Sequence, residues 1–430
     1  MEVGVRSTIV VAVLLGGGCG ARSQTLVGSD GDDGGNGDAD ADGDADADTD
    51  SDPDCEDVDG DGFAASECGG KDCDDSDPSI FPGAPEGGEW VVSTVDDRAH
   101  HQEGAIALDL EGRPLITSWG ADNALEYYAW DGAAWSREVV DDRAGMPSSG
   151  LAVDADGVVN VAYGVQNYES DDGLGRFRYA VRSAAGWTTQ MVDAVEGNAD
   201  PVAMALDAAG HAHTVYNTDD ALLYATDESG EWDVQTVYRG GVGRGNIAEI
   251  DIALDSEGAA HVVFYDGMHL AHASNETGAW ATTIADPASG TGNAPSLAIA
   301  PDGALHAVHG GPAFRLLHSI RRDGNWETES VRDEPDTARC TAIVADDEGS
   351  LHVVFSLNSG LGYATNNGGD WVVEQVDPEN NNDWCAMALD EVGNVHAAYA
   401  TSGGPSHLRH AVRRSFDDGV DQDCDGDPGR

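Results

Sequence analysis

The sequence predicts an all-β fold, a seven-bladed β-propeller over residues 88–415, and three observations support this prediction. Tryptophan recurs at intervals of 45 to 52 residues. Between the tryptophans a similar phrase returns seven times, from AIALDLEGRPLITSW in the first repeat to AMALDEVGNVHAAYA in the last. The final repeat has only three strands, while a fourth strand, EWVVSTV, stands alone at residues 89–95. The recurring tryptophans are Trp90, Trp135, Trp187, Trp232, Trp280, Trp326 and Trp371.

Each repeat supplies the four strands of one blade. The phrase contains a short apolar strand, a tight turn and a second strand of β-branched and aromatic residues. Six of the seven turns read Asp-x-x-Gly, as in Asp109 to Gly112, where aspartate bonds the turn backbone and glycine accepts a positive φ. A third strand, another glycine turn and a fourth strand at the tryptophan complete about 45 residues, the size of a propeller blade.

The isolated strand at residues 89–95 predicts how the ring closes. It would pair with the last repeat, so that the two ends of the domain share one blade. Such closure hides both sheet edges, which would otherwise invite aggregation. A two-sheet sandwich does not account for seven equal units.

Composition limits the classes of partner. The 430 residues include 80 acidic and 21 basic side chains, and the formal net charge is −59. A chain of this charge repels phosphate backbones, so nucleic acid is excluded as an expected partner. Anionic membrane surfaces are excluded in the same way, and divalent cations are the natural counter-charge.

The first residues predict export. The stretch STIVVAVLLGGGC, residues 7–19, has an apolar run too short to span a bilayer and ends at Cys19. Residues 1–19 therefore resemble a bacterial lipoprotein signal, which implies lipidation of Cys19 and a membrane contact through that anchor alone. Ordinary secretion with another cleavage site is the alternative. Either route places the protein in the cell envelope or on the outer surface of a bacterium, where disulfides form.

Residues 20–53 form a linker of aspartate, glycine and alanine, as in GDADADGDADADTD. Its like charges repel and it has too few apolar residues for a core, so we expect it to be disordered.

Alternating aspartates flank the predicted ring on both sides and predict a metal site. Hard carboxylate ligands in this number suit Ca²⁺ better than zinc or copper. Asp57, Asp59 and Asp61, followed by Gly62, have the spacing that opens an EF-hand-type calcium loop. Position 12 of such a loop should be glutamate but is Cys68 here, so this loop needs ligands from elsewhere. The candidate ligands are Asp57, Asp59, Asp61, Asp72, Asp74, Asp75, Asp77, Asp421, Asp423 and Asp425.

The motifs DCDDSDP (residues 72–78) and PGAPE (residues 82–86) resemble a family of secreted bacterial metal-binding motif modules. In that family a segment like DGVDQDCDG follows directly, whereas here it stands at residues 418–426. The resemblance implies that residues 54–87 and 416–430 form one small, loop-rich calcium-binding module, interrupted by the propeller at its point of closure. Two independent acidic tails are the alternative.

Cysteine pairing stays open from the sequence, because six cysteines beyond Cys19 permit 15 pairings. A bridge from Cys55 or Cys73 to Cys424 would clamp the split module, and a bridge between the first strands of blades six and seven is a further candidate. The six disulfide candidates are Cys55, Cys68, Cys73, Cys340, Cys385 and Cys424.

Histidines recur three residues after the turn glycine in five blades. Repetition in register favours buried hydrogen-bonding partners over a shared ligand site, since equivalent positions are dispersed around the axis. They are His213, His261, His306, His352 and His396, with Leu115 and Asn160 in the first two blades.

Strand connectivity places the short Asp-x-x-Gly turns and the turns before the tryptophans on one face, with the longer loops on the other. The Gly-x-Trp turns are similar in position to those of sialidase-type propellers, but no active site follows from that resemblance. Binding residues concentrate on variable loops. The longer loops are residues 96–104, 164–175, 238–246 and 377–384.

From the sequence we therefore expect an exported calcium-binding propeller that serves as a surface binding or scaffold protein, with an unknown protein or glycan bound at its variable-loop face. No catalytic residue is assigned. The alternative is a carbohydrate-active hydrolase or lyase at the same face, and an inert surface-coat component is a third interpretation.

Overall fold

The computed structural model describes residues 9–10, 90–98, 102–120, 123–142, 144, 148–166, 174–239, 250–335, 337–366, 369–379, 381–401 and 407–413. The chain divides into two compact units, residues 1–13 with 87–415 and residues 14–86 with 416–430. The second unit lies wholly outside the described residues.

The described residues form 29 strands, and a short 3-10 turn at Pro312–Phe314 lies between the twentieth and twenty-first. In chain order the strands are β1 (Ile9–Val10), β2 (Trp90–Asp96), β3 (Gln102–Leu108), β4 (Pro114–Trp119), β5 (Leu125–Trp130), β6 (Trp135–Asp141), β7 (Ser149–Val153), β8 (Val159–Val165), β9 (Gly175–Ser183), β10 (Gly186–Val195), β11 (Val202–Leu206), β12 (Ala212–Asn217), β13 (Leu222–Thr226), β14 (Asp233–Tyr238), β15 (Ile250–Leu254), β16 (Ala260–Tyr265), β17 (Leu270–Ser274), β18 (Ala281–Asp286), β19 (Asn293–Ile299), β20 (Leu305–Gly310), β21 (Leu316–Arg322), β22 (Asn325–Arg332), β23 (Thr341–Ala345), β24 (Leu351–Leu357), β25 (Gly360–Thr365), β26 (Val372–Asp377), β27 (Asn381–Leu389), β28 (Val395–Thr401) and β29 (Leu408–Arg413).

Seven antiparallel sheets form the blades of a β-propeller, as predicted. Blades one to six are β3–β6, β7–β10, β11–β14, β15–β18, β19–β22 and β23–β26, and each runs in chain order from its first strand to its fourth. The two-residue strand β1 pairs in parallel with β3 of blade one. Among the described residues no helix has the length and apolar character needed to cross a membrane.

Blade seven closes the ring with strands from both ends of the domain. Its sheet order is β2-β29-β28-β27, so the first strand of the propeller supplies the outer strand of the last blade. The register pairs Trp90 with Arg413 and Val92 with Ala411. The predicted closure is therefore confirmed, and the chain enters and leaves the ring at adjacent positions.

The Asp-x-x-Gly turns connect first strands to second strands through a repeated set of bonds. In blade one the Asp109 Oδ1 atom accepts the backbone N–H groups of Glu111 and Arg113 at 3.0 and 2.9 Å. Gly112 adopts a φ of 75° and donates its N–H to the Asp109 carbonyl oxygen. Only a residue without a Cβ takes this conformation at no cost, which explains why glycine recurs here.

The core lies between adjacent blades and is built mostly from the first three strands. Every residue of β7 and β11 is buried, whereas β10, a fourth strand, has one buried residue among its ten. This graded burial matches the sequence, in which the first strands are continuous apolar runs and the fourth strands are mixed. Continuous burial on both faces is what a strand near the axis of a propeller requires.

Polar contacts also join neighbouring first strands. The Asp251 carboxylate on β15 accepts hydrogen bonds from Ser296 Oγ and the Leu297 N–H on β19, at 3.0 and 2.8 Å. Burial raises the pKa of the Asp251 carboxyl to about 7, against the opposing effect of these donors. These bonds fix the register between blades four and five.

A disulfide joins blades six and seven. Cys340 and Cys385 are bonded with a Cα–Cα distance of 5.7 Å. Cys340 directly precedes β23, as expected, but Cys385 lies within β27, whose first residue is Asn381. The strand is longer than the sequence phrase indicated because it extends into the preceding loop.

Candidate functional site

The recurring tryptophans pack between blades. Each lies edge-on against an aromatic ring on the third strand of the preceding blade, at centroid distances of 5.0 to 5.5 Å. Four of the indole N–H groups also donate to a glutamate or glutamine three residues after the tryptophan of the preceding blade. The acceptors are Glu138, Gln235, Glu329 and Glu374.

The repeated histidines contact the third-strand side chains of their own blades. These contacts support the interpretation of the histidines as buried hydrogen-bonding partners. Each bonds through Nδ1 to a side chain on the third strand, either a tyrosine hydroxyl or a second histidine. In four blades the Nε2 atom faces Oδ2 of the turn aspartate at 3.3 to 3.7 Å. The histidines His213, His261, His306, His352 and His396 are thus part of the packing between strands and do not share a ligand at the axis.

Blade four adds a glutamate, Glu276, to this pattern and forms the candidate site. A cavity of about 410 Å³ opens between blades four and five on the short-turn face. Asp255, His261 and Glu276 line one wall, and their donor atoms lie within 4.8 Å of one another. Arg321 and Asp302 line the opposite side. We call the first three residues the blade-four triad.

Local structure fixes each member of the blade-four triad. Asp255 begins the Asp-x-x-Gly turn, and its Oδ1 atom accepts the N–H groups of Glu257 and Ala259. That leaves Oδ2 facing His261 Nε2 at 3.3 Å. Glu276 lies in the turn after β17, where it forms a bidentate ion pair with Arg321 at 2.9 and 3.2 Å.

Electrostatics keep the histidine neutral and the glutamate charged. Burial lowers the pKa of His261, which is 1% exposed. The hydrogen bond from Arg321 lowers the pKa of Glu276 below its usual range. The blade-four triad therefore presents one uncharged imidazole and two carboxylates, a donor set that suits a divalent cation.

A second polar cluster lies at the seam between blades seven and one, towards the variable-loop face. Arg98 bonds Asp96, Glu126 and Tyr128, and Arg137 bonds Glu126 from the other side at 2.6 Å. Burial, together with hydrogen bonds to the Glu126 and Asp96 carboxylates, raises the pKa of Tyr128, whereas the pKa of Glu126 is lowered by Arg98 and Tyr128 despite its burial. A general acid would need a raised pKa and a nucleophilic tyrosine a lowered one, so this cluster serves the seam rather than catalysis.

Most of the predicted metal, lipidation and disulfide residues lie outside the described residues. That group comprises Cys19, Cys55, Cys68, Cys73, Cys424, the linker at residues 20–53 and the ten candidate metal-binding aspartates. The described part of the chain brings Cys340 and Cys385 together and places the two ends of the ring side by side. Parts of each long loop, such as residues 167–173 and 240–249, also fall outside it.

Sequence reasoning missed the blade-four triad. The signal was present, because only repeats three and four carry a glutamate at the second position after the third strand, at Glu228 and Glu276. In blade three, however, His211 occupies the Asp207 Oδ2 atom at 2.8 Å. The residue at that position in blade four is Ala259, which leaves Asp255 facing its histidine.

Comparisons with known proteins give similarities of fold. No family model and no curated protein matches this sequence. AofleA from Arthrobotrys oligospora is 14% identical, with a TM-score of 0.46, over 69% of this chain and 92% of its own. A protein of unknown function from Dyadobacter fermentans DSM 18053 is 12% identical, with a TM-score of 0.46, over 79% and 100%. A variant of NanB sialidase from Streptococcus pneumoniae is 12% identical, with a TM-score of 0.44, over 78% and 71%.

Proposed function

We propose that this protein is an exported, calcium-dependent binding or scaffold protein in which a rigid propeller carries a split acidic module at its closure. The observation that carries the proposal is the pairing of Trp90 with Arg413 in blade seven. Residues 54–87 lead into this point and residues 416–430 lead away from it. Two segments tethered at neighbouring residues have a high effective concentration for each other, so ligands from both can serve one ion.

Charge explains why calcium belongs to the function. The ten candidate aspartates repel one another until a cation neutralises them, and ion binding to the folded state alone then adds stability. Because the segments are joined to β2 and β29, that stability would be passed to the seam of the ring. Calcium would thus secure the closure of the propeller.

Binding fits the described residues better than catalysis. The acidic groups of the seam cluster are committed to Arg98 and Arg137. The variable-loop face presents loops of different length in different blades. We place the partner, a protein or a glycan, on that face, and a lipid anchor at Cys19 would hold the ring at the cell surface.

Thermal unfolding with and without calcium tests the proposal. We expect calcium to raise the melting temperature of the full chain, and replacement of Asp59 and Asp423 by asparagine to abolish the increase. Replacement of Asp44 and Asp46 in the linker is the matched control, since it removes the same charge. An equal calcium response in both double variants would contradict the split module.

Peptide mapping of the unreduced protein provides a second test of the module. A disulfide between Cys424 and residues 55–73 is expected, and its absence would remove the clamp.

A glycan array combined with a hydrolysis screen addresses the partner. Retention of a glycan without turnover, lost when a chelator is added, supports a binding protein. Turnover would favour the alternative, a carbohydrate-active hydrolase or lyase, which requires paired carboxylates over the channel.

A further inference from the structure

We propose that the blade-four triad, Asp255, His261 and Glu276, binds a transition-metal ion of the zinc class, separately from the calcium module. The site lies in the cavity between blades four and five. It takes two carboxylate oxygens and one imidazole nitrogen as ligands, and the fourth position opens to the cavity.

Donor spacing is the first argument. His261 Nε2 lies 3.3 Å from Asp255 Oδ2 and 3.6 Å from Glu276 Oε1. A tetrahedral ion with ligand bonds of about 2.0–2.2 Å has donor-to-donor edges of about 3.3–3.6 Å. These two separations match such edges, and the third, between the two carboxylate oxygens, lies within 4.8 Å.

The support behind the imidazole is the second argument. His261 Nδ1 lies 3.1 Å from His272 Nε2, and the two rings stack. His272 is 2% exposed, and its Nε2 atom is placed to accept a hydrogen bond from His261 Nδ1–H. With Nδ1 engaged in this way, the Nε2 atom of His261 keeps its lone pair for a metal. Histidine ligands are commonly held in this way through their second nitrogen.

The carboxylates are held in the same manner. Asp255 uses Oδ1 for its own turn, which leaves Oδ2 for an ion. Arg321 grips Glu276 through both oxygens, as hydrogen-bond donors around a metal site orient a ligating carboxylate. The ion's two charges balance the two carboxylates, and Asp302 and Asp323 across the cavity offset Arg321 and Arg322.

Other blades show that the arrangement is specific to blade four. Blade six repeats the aspartate and histidine, with His352 Nε2 3.3 Å from Asp346 Oδ2, but its sequence has Asn367 in place of the glutamate. Blade three has Glu228, but His211 bonds its aspartate. Blades three and six thus each have part of the donor set, but neither combines an aspartate, a histidine and a glutamate whose donor atoms face one another.

The donor chemistry selects the class of metal. Calcium takes six to eight oxygen ligands, whereas imidazole nitrogen with few carboxylates suits zinc and its neighbours. Protein that has been stripped of metal ions with a chelator and then saturated with calcium should therefore still bind zinc in the propeller. This separates the site from the acidic module, which calcium would fill.

Zinc titration calorimetry on the full chain in excess calcium tests the site, together with the visible absorption of bound Co²⁺. We expect one zinc ion to bind more tightly than any further zinc ions. The Co²⁺ spectrum should be that of a four-coordinate site with a nitrogen ligand. Loss of a ligand should weaken binding at least tenfold, since loss of an outer partner alone costs about 10–100-fold. Glu276→Gln and His261→Gln should both show this loss.

His352→Gln and Glu228→Gln are the matched controls, and they should leave zinc affinity unchanged. His261 is buried, so its variant may be compared only when circular dichroism shows a native fold; Glu276 is partly exposed at 37% and its variant keeps the experiment decisive. Unchanged zinc affinity in Glu276→Gln overturns the proposal. Absence of zinc binding above the calcium-saturated background overturns it as well.

Discussion

Glu374→Ala tests the idea that an indole-to-carboxylate bond locks the closing strand into the ring. The Trp90 indole N–H donates to Glu374 Oε1 at 2.8 Å, and Arg413 Nε lies 3.1 Å from the same oxygen. One carboxylate of blade six thus contacts both strands, β2 and β29, where the two ends of the domain pair.

The magnitude follows from these contacts. A hydrogen bond to a charged acceptor contributes about 1.5–3 kcal/mol, and a partly exposed ion pair about 0–1 kcal/mol. Removal of one negative charge from a chain at −59 gives a small opposing gain. We therefore expect a loss of about 2 kcal/mol, which is about 3 °C for a domain of this size at about 2.1 cal/mol/K per residue.

Thermal and urea unfolding, followed by tryptophan fluorescence, measure this loss. Glu374→Gln keeps an acceptor oxygen without the charge and should lose about half as much. Glu327→Ala, at an exposed position on β22, removes the same charge and controls for the change in self-repulsion. If Glu374→Ala and Glu327→Ala melt within about 1 °C of each other, the proposed lock does not stabilise the closure.

Three further outcomes follow from the same packing. The Trp326 Nε1 atom is buried without a hydrogen-bond partner among the described residues, and Thr283→Gln would give it an acceptor. The variant should therefore raise the free energy of unfolding in urea by about 0.5–1.5 kcal/mol. Thr282→Gln, on the opposite face of the strand, is the control and should not raise it. Replacing both Cys340 and Cys385 by alanine should cost up to about 4 kcal/mol relative to the oxidised wild type in melting experiments, since the bridge spans 45 residues, and the reduced wild type should melt close to the variant. Stability should fall as pH drops below about 6.5, by about 1.4 kcal/mol per pH unit for each histidine that stays neutral in the fold but charges when unfolded; a melting temperature unchanged down to pH 5 would contradict this. Burial lowers the pKa of these histidines to about 3 in three cases and about 4 in the fourth: His272, His309, His410 and His306.

The seven-bladed ring could be predicted from the sequence because each repeat carries local signals for its own strands and turns. The turn aspartates and glycines mark the first turn of each blade, and the register of β2 with β29 follows from counting strands. The same count made a bridge between Cys340 and Cys385 one candidate among the open pairings, since equivalent residues of neighbouring first strands lie close together, and the structure contains that bridge.

The candidate metal site could not be predicted in the same way. Repetition of the histidines correctly indicated a packing role, but it concealed the one blade in which the role differs. Blade four has Ala259 where blade three has His211, and Arg321 of blade five forms hydrogen bonds with Glu276 of blade four. Contacts between blades depend on side-chain conformation, which the repeat pattern does not encode.

The closing strand also sets the order in which the domain can be completed. The partners Trp90 and Arg413 are separated by more than 300 residues, so during synthesis β2 waits for almost the whole domain before its neighbour exists. Contacts this distant along the chain slow folding, because the loop between them must be ordered first. On the export route proposed above, this delay would keep the nascent chain open during translocation, since the ring becomes whole only after its last strand has been made.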